Sequence, residues 1–441
     1  MKNGSVKYFV VCVVSVAFFT LPSCTITNQL SNKANIFLLN DTLFKAAHVG
    51  INIYDISNHQ YLYDFNGDHY FIPSSNVKLF TLFAGLKYLP DSLVAARVEV
   101  DHETATVQAA GDPTFLHPDF KNQPLFSFLK QKEISVIRLL TPFASKPLGS
   151  GWAWDDYKLP FSAERDPFPM YGNIATIIYD YVGDSMSTVP KSIQPFVIGK
   201  PEPGEKWEVT RDPGGHIYNI DTTKGDTEPV KKITMSLNSG IFASRYLSDT
   251  IHKIVLTTYN PLENGQGFPV YSQPKDSLFA IMMHRSDNFF AEQTLLMAAN
   301  EFIGEMNDIR MIDTLLKTDF RSLPQEPRWA DGSGLSRYNL FTPQDLIWVL
   351  NKLNADYGME RLKVLLPSGN EGTLQGWYKG YEKSIWAKTG SLTNNLSLSG
   401  YLITKKNRLL SFSVMVNNHR SRVNEIKKHM EIFLENIIDK Y

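Results

Sequence analysis

The sequence predicts an α/β protein in which the two ends of the chain form one domain, interrupted by a β-rich insert. Residues 94–270 contain short runs of alternating apolar and polar residues separated by turns rich in proline and glycine, which is typical of small β modules. The chain after residue 270 instead has long helical patterns, followed by three strand-like runs and a terminal helix. We therefore assign residues 36–93 and 271–441 to one α/β domain, and leave open whether the insert is one domain or two.

The composition is that of a folded protein with almost no net charge. The 441 residues are 43% hydrophobic and 20% charged, and the formal net charge is −1. These values exclude a disordered chain and a strongly basic nucleic-acid-binding protein. The chain has only two cysteines, which excludes a disulfide scaffold and a four-cysteine metal site.

The first 23 residues are predicted to be an export signal, since Lys2 and Lys7 precede the uncharged apolar run Tyr8–Leu21. That run is shorter than the about 20 apolar residues of a membrane-spanning helix. The stretch LPSC ending at Cys24 resembles the bacterial lipoprotein box, with Cys24 as the lipidated residue; an ordinary cleavable signal peptide is the alternative. Residues 24–35 are polar and predict a tether. We expect an exported protein that is attached to a membrane only through this lipid.

A buried helix is predicted directly after Ser75, because Leu79–Leu86 is apolar on every side. Ser75 and Lys78 are three positions apart and share a helix face. Burial disfavours the charged form of a lysine, so Lys78 becomes a candidate base for the hydroxyl of Ser75. The same S-x-x-K pattern begins at Ser127 and at Ser272, but neither of these serines opens an apolar helix.

A second candidate group is the triplet Ser286-Asp287-Asn288, which lies between two predicted helices. A second hydroxyl can relay a proton to a leaving amine, and an amide can orient a substrate. Taken alone, the pattern S-x-N is too common to identify a site.

The third group, Lys388-Thr389-Gly390-Ser391, ends a predicted strand. A lysine beside two hydroxyls suits the binding of a carboxylate, and Gly390 permits a ligand to approach the backbone closely. The alternative is a strand that ends in an ordinary turn.

In this order, S-x-x-K, S-D-N and K-T-G resemble the motif set of the penicillin-recognising serine acyltransferases. The long separation of Ser75 from Ser286 is similar to that of the class C penicillin-binding proteins, the D-Ala-D-Ala carboxypeptidase/endopeptidase family, and unlike that of class A β-lactamases. The sequences at residues 110–114, 151–156 and 331–337 also resemble this family. The resemblance implies a transpeptidase-like domain, with an antiparallel sheet flanked by helices.

The resemblance also implies catalytic roles. Ser75 is the acylated nucleophile and Lys78 is its general base. Ser286 passes a proton to the departing D-alanine, and Asn288 holds both the substrate backbone and Lys78.

The implied substrate-binding residues form a larger set: Lys388, Thr389, Gly390, Ser391, Ser333, Gly334 and Leu335. The first two and Ser391 grip the terminal carboxylate of a stem peptide or the acid group of a β-lactam. The backbone N–H groups of Ser75 and Ser391 form the oxyanion hole. Asp156 of the insert is the implied partner of a diaminopimelate amino group; a tight turn with self-capping aspartates is the alternative.

The activity implied is that of a serine-type D-Ala-D-Ala carboxypeptidase, with D,D-endopeptidase activity as a second reaction of the same site. The substrates are peptidoglycan stem peptides in the periplasm, β-lactams are covalent inhibitors, and neither a metal, an organic cofactor nor a nucleic acid is involved. Two alternatives stay open: a β-lactamase, and a wall-binding lipoprotein with a silent site.

Overall fold

A computed structural model of the chain describes residues 22–202, 204–225, 228–237, 240–262 and 267–441. The predicted signal peptide, residues 1–23, lies outside these residues except for its last two. The helices are α1 (Pro22–Ala34), α2 (Lys78–Tyr88), α3 (Pro124–Leu129), α4 (Ile241–Ile251), α5 (Lys275–His284), α6 (Asn288–Ile303), α7 (Asp308–Lys317), α8 (Pro343–Tyr357), α9 (Met359–Leu365) and α10 (Val423–Lys440). The strands are β1 (His48–Asp55), β2 (Gln60–Phe65), β3 (Ser92–Asp101), β4 (Thr104–Ala109), β5 (Val136–Leu140), β6 (Ile174–Asp180), β7 (Ser185–Val189), β8 (Val197–Ile198), β9 (Glu205–Thr210), β10 (Tyr218–Lys224), β11 (Val230–Thr234), β12 (Ile254–Thr258), β13 (Phe268–Pro274), β14 (Ile385–Leu392), β15 (Asn395–Ile403) and β16 (Leu409–Asn417).

A five-stranded antiparallel sheet joins the two ends of the chain. Its strand order is β14-β15-β16-β1-β2, so β14 forms one edge and the N- and C-terminal parts meet where β1 pairs with β16. Successive side chains of β15 point to opposite faces: Tyr401 packs in the apolar cluster that contains α2, and Leu402 packs in the cluster that contains α10. Helices therefore cover both faces of the sheet.

The predicted buried helix after Ser75 is confirmed as α2. Every side chain of Lys78–Leu86 is buried, and the helix crosses the apolar cluster that also holds α6 and α8. Ser75 was expected on the first turn of this helix. It lies instead in the 3₁₀ turn Ser74–Val77, which leads into α2. Because Lys78 begins a helix that is packed in the core, its backbone cannot shift without disturbing that core.

The insert folds around a separate apolar cluster, which includes Val98, Trp207 and Tyr246. Its strands form three sheets, with the orders β12-β5-β4-β3-β13, β11-β6-β7 and β8-β10-β9. Strands β3 and β13 pair with each other, so the chain enters and leaves the insert side by side. The boundaries predicted at residues 93 and 271 fall inside these two strands, and limits at Ser92 and Pro274 fit the sheet better.

The tether predicted over residues 24–35 is wrong, because this segment forms most of α1. Leu30, Ala34 and the following Leu38 are fully buried in the cluster that contains α10. These three residues are four apart, so they lie along one face of a helix even though the segment is polar overall. None of the helices in the described ranges is long and apolar enough to cross a membrane.

Candidate active site

The turn that carries Ser75 is fastened to the edge of the sheet. The buried side-chain amide of Asn76 donates to the carbonyl oxygen of Lys388 at 3.2 Å and to Ser397 Oγ at 2.9 Å. Ser397 Oγ in turn donates to the carbonyl oxygen of Pro73 at 2.7 Å. Ser75 lies in this turn and stays partly exposed, so a substrate can reach its hydroxyl.

Lys78 is fully buried beneath Ser75 and makes three hydrogen bonds. Its Nζ donates to Ser75 Oγ at 3.0 Å, to Asn288 Oδ1 at 2.7 Å and to the carbonyl oxygen of Ser333 at 2.6 Å. All three acceptors are uncharged oxygens. The amine is therefore fixed in position without a direct ion pair that would hold its proton.

Burial lowers the pKa of Lys78 to about 8, because the charged ammonium loses its hydration. The carboxylates of Asp331, Glu292 and Asp287 act in the opposite direction, but their effect is smaller. With such a pKa about a tenth of the lysine is neutral at pH 7, compared with less than a thousandth for an ordinary lysine. Neutral Lys78 has a lone pair for the proton of Ser75.

Ser286 and Lys388 form a second serine–lysine pair. Lys388 Nζ donates to Ser286 Oγ at 2.8 Å and to the carbonyl oxygen of Thr389 at 2.7 Å. Lys388 is fully buried, and its burial together with the positive charge of Lys78 holds its pKa well below the usual range. The two lysines therefore disfavour each other's charge.

The turn between α5 and α6 orients Ser286 and Asn288. Ser286 has a φ of 59°, a left-handed conformation that costs a serine about 1 kcal/mol. Asp287 accepts the backbone N–H of Phe290 at 2.9 Å and so caps α6. The Nδ2 of Asn288 donates to the carbonyl oxygen of Phe161 at 2.9 Å, which leaves its Oδ1 to face Lys78.

Gly390 gives room to a neighbouring part of the chain. A Cβ at this position would lie 2.2 Å from Ser397 Oγ and 2.6 Å from the carbonyl oxygen of Pro73. The chain's own Ser75 turn therefore approaches Gly390 closely, and the contact of Gly390 with a ligand stays a prediction. Next to it on β14, Thr389 is partly exposed and Ser391 is exposed.

A loop over residues 331–336 covers Lys78 from the other side. The buried carboxylate of Asp331 accepts from the backbone N–H groups of Gly334 and Ser336, at 2.8 and 2.6 Å, and from Trp152 Nε1 at 2.9 Å. This folding of the loop directs the carbonyl oxygen of Ser333 at Lys78. Ser333, Gly334 and Leu335 are all buried, so the loop is a wall of the site.

Replacing Gly334 by alanine is expected to destabilise the protein by about 3 kcal/mol and to slow acylation by a β-lactam, since strain and overpacking add here. Gly334 has a φ of +82°, and an added Cβ would lie 1.9 Å from the carbonyl oxygen of Ser74. Urea unfolding and the acylation rate measure both effects. Gly304→Ala is the matched control, because its φ is +79° and nothing lies within 4 Å of the added Cβ. Equal losses of stability in the two variants would show that the contact with Ser74 is unimportant.

Two further predicted residues lie outside this constellation. Asp156 is partly buried in the 3₁₀ turn Trp154–Lys158, and burial and Asp155 raise its pKa while Arg337 lowers it. Its role stays a prediction. The side chain of Cys24 lies outside the described part of the chain.

Asp331 and Glu292, which shape the loop, belong to none of the three motifs. Glu292 could have been found, because it is the one charged residue in the apolar first part of α6, Phe289–Ala299, and a buried carboxylate needs a partner. Within the described residues, no group of three or more histidine, cysteine, aspartate or glutamate side chains is arranged to hold a metal ion.

The sequence profile of the D-Ala-D-Ala carboxypeptidase 3 (S13) family matches residues 34–193 and 236–437. The segment between these ranges contains β8, β9, β10 and β11. The chain is 23% identical over 436 residues to D-alanyl-D-alanine carboxypeptidase DacB of Haemophilus influenzae, covering 87% of this chain and 88% of the relative. It is 32% identical over 161 residues to carboxypeptidase DacB of Mycolicibacterium smegmatis, covering 34% of this chain and 35% of that one.

Solved structures with the same fold include penicillin-binding protein 4 (dacB) of Haemophilus influenzae, with a TM-score of 0.75 and 20% identity over 94% of this chain and 99% of that chain. The predatory peptidoglycan endopeptidase Bd3459 of Bdellovibrio bacteriovorus is more distant, with a TM-score of 0.52 and 16% identity over 89% of this chain and 92% of that chain. The predicted fold, a transpeptidase-like antiparallel sheet flanked by helices, is confirmed.

Proposed function

Because the chain belongs to the D-Ala-D-Ala carboxypeptidase 3 (S13) family, we propose that it is a serine D,D-peptidase that cleaves the terminal D-Ala-D-Ala bond of peptidoglycan stem peptides. The observation that carries the proposal is the contact of Lys78 Nζ with Ser75 Oγ at 3.0 Å, made by a fully buried lysine. The family is the one predicted from the order of the three motifs.

In the acylation step, neutral Lys78 takes the proton of Ser75 as Ser75 Oγ bonds to the carbonyl carbon of the penultimate D-alanine. The negative charge that develops on the carbonyl oxygen is assigned to the backbone N–H groups of Ser75 and Ser391. When the carbon–nitrogen bond breaks, Ser286 passes its proton to the departing amine, and the proton that Lys78 took from Ser75 replaces it on Ser286, so that Lys78 is neutral again. D-alanine leaves, and the peptide remains as an ester on Ser75.

Water completes the cycle by the same route in reverse. Lys78 takes a proton from the water as the water oxygen bonds to the ester carbon, and it gives that proton to Ser75 Oγ as the Ser75–carbon bond breaks. The products are the shortened peptide and the free enzyme, so no metal or redox partner enters the balance.

Lys388, Thr389 and Ser391 bind the terminal carboxylate in this proposal. A carboxylate beside Lys388 favours the charged form of that lysine, and a charged Lys388 disfavours a proton on Lys78. Substrate binding and activation of the base therefore support each other. Gly390 keeps this strand against the Ser75 turn.

The proposal extends to the place of action. The N-terminal sequence with Lys2, Lys7 and the apolar run Tyr8–Leu21 supports export to the periplasm, and the LPSC stretch supports a lipid on Cys24. Asp156 is assigned to the amino group of a diaminopimelate side chain, since the sequence around it resembles the family there. β-Lactams are then covalent inhibitors that acylate Ser75.

The purified protein is expected to release the terminal alanine from a stem pentapeptide that ends in D-Ala-D-Ala and not from one that ends in D-Ala-L-Ala, because the proposed reaction is specific for a terminal D-residue. Chromatography of the released amino acid measures this. A cross-linked stem-peptide dimer in the same assay measures the endopeptidase reaction. Rapid hydrolysis of nitrocefin without D-alanine release would instead identify a β-lactamase, and no reaction with either would identify a silent wall-binding protein.

A further inference from the structure

A buried ion cluster connects the insert to the helix that carries Asn288. Arg165 of the insert donates from Nη1 to Asp308 Oδ2 at 2.6 Å and lies 3.3 Å from Glu292 Oε2. The exposed fractions of the Arg165 and Glu292 side chains are 2% and 1%. Buried charges are costly unless paired, so Arg165 favours the ionised form of Glu292 inside the protein.

The second carboxylate oxygen of Glu292 points to the active site. Glu292 Oε1 accepts the backbone N–H of Ser333 at 2.7 Å, and the carbonyl oxygen of Ser333 accepts from Lys78 Nζ at 2.6 Å. Glu292 also lies four positions after Asn288 on α6, so the same helix face carries the amide that binds Lys78 directly. Ser333 therefore links Glu292 to the Lys78 amine, and Glu292 shares a helix face with Asn288, which binds that amine.

We propose that Glu292, held by Arg165 of the insert, is a positioning residue for Lys78: it fixes the Ser333 carbonyl that binds the amine and places a negative charge behind it. The inference rests on the proposed function, in which Lys78 is the base. It makes the insert a working part of the active site, since Arg165 and the Phe161 carbonyl both come from it and both act on α6.

The charges around the two groups give the direction of the effect. Asp331, Asp287 and Glu292 raise the pKa of Lys78, and Lys388 is the cation that faces it. Removing the charge of Glu292 therefore lowers the pKa of Lys78, so the neutral base is present at lower pH.

Glu292 itself is faced by Asp331 and Asp308, which raise its pKa, and by Arg165, which lowers it. Burial dominates and brings the pKa of Glu292 to about 7. The carboxylate is thus about half ionised at pH 7 and mostly ionised at pH 8, where Lys78 is half protonated.

The test is the pH dependence of acylation by a chromogenic cephalosporin, measured for the wild type and for Glu292→Gln. Glutamine can still accept the Ser333 N–H but carries no charge. The midpoint of the rise in acylation rate with pH is expected to move down by about 0.5 to 1 unit in the variant. An unchanged midpoint in a folded variant would overturn the inference.

Asp308→Asn is the matched control, because it removes the other buried carboxylate on Arg165 without touching Ser333. Its midpoint is expected to equal that of the wild type even where its melting temperature falls. A shift as large as that of Glu292→Gln would assign the effect to general loosening of the ion cluster and would also overturn the inference.

Arg165→Gln keeps the inference testable if Glu292→Gln does not fold. Without Arg165 the carboxyl of Glu292 retains its proton to higher pH, so the midpoint is expected to move down as well, and an unmoved midpoint would count against the proposal. Titration of Lys78 by ¹³C NMR in lysine-labelled protein reports the same shift without catalysis.

A wild type that is never acylated, or is acylated equally after Ser75→Ala, would refute the proposed function itself.

Discussion

Replacing Ser75 by alanine is expected to abolish covalent labelling by benzylpenicillin and to lower D-alanine release by about 10⁴-fold or more, as for other nucleophilic serines. The hydroxyl of Ser75 is the one that contacts the buried amine of Lys78, at 3.0 Å. The variant loses a single oxygen from a turn that Asn76 continues to hold, so its fold is retained. Intact mass after incubation with the drug measures the adduct directly.

The other two S-x-x-K sequences supply the controls for this experiment. Ser127 is exposed and donates to the carbonyl oxygen of Gln123 at 3.1 Å, while Lys130 donates to the carbonyl oxygen of Ile251 at 3.0 Å. Ser127→Ala is therefore expected to be labelled like the wild type. An adduct that survives in Ser75→Ala, or is lost in Ser127→Ala, would contradict the assignment of the nucleophile.

Ser272 shows why the motif alone was ambiguous. Its hydroxyl bonds to Asp112, and Lys275 donates to the backbone carbonyls of Leu86 and Leu89. This serine and lysine are thus both satisfied by other partners, although Lys275 is buried. The sequence could separate the three copies only because Ser75 precedes a wholly apolar helix, which is a local property of the chain.

The residues that join distant parts of the chain could not be predicted in the same way. Arg165 and Glu292 are 127 positions apart, and nothing in either local sequence indicates the other. The helical pattern of α6 does predict that Glu292 lies on the face of Asn288. Its partner depends on how the insert packs, which is decided by three sheets whose register the sequence does not specify.

The N-terminal helix α1 is a segment whose local sequence did contain the needed signal, but whose average polarity concealed it. Leu30, Ala34 and Leu38 are separated by polar residues, so the average character of the segment predicted a tether. Burial of three side chains against the sheet and α10 was enough to override it. A sparse stripe with a spacing of four residues is therefore a better predictor of docking than mean polarity.

Lys78→Met is expected to reduce the rate of acylation by about 10³-fold or more while leaving the protein folded, because it removes the general base without opening a large cavity. The folded-state pKa of Lys78, about 8, lies below the usual value of 10.5. Burying the charged lysine therefore costs about 3 kcal/mol below pH 8, a cost that disappears as the pH rises from 8 to 10.5. Methionine removes that cost.

The same substitution leaves Asn288 Oδ1 and the Ser333 carbonyl without their donor, which costs about 1 to 3 kcal/mol for each buried acceptor. The two effects offset each other, so the free energy of unfolding at pH 7 is expected to change by no more than about 3 kcal/mol, as measured by urea titration. Lys275→Met, at the other buried S-x-x-K lysine, should lose stability and keep its acylation rate. If instead Lys78→Met were acylated as fast as the wild type, a different group would have to take the proton of Ser75, and the buried lysine would be structural.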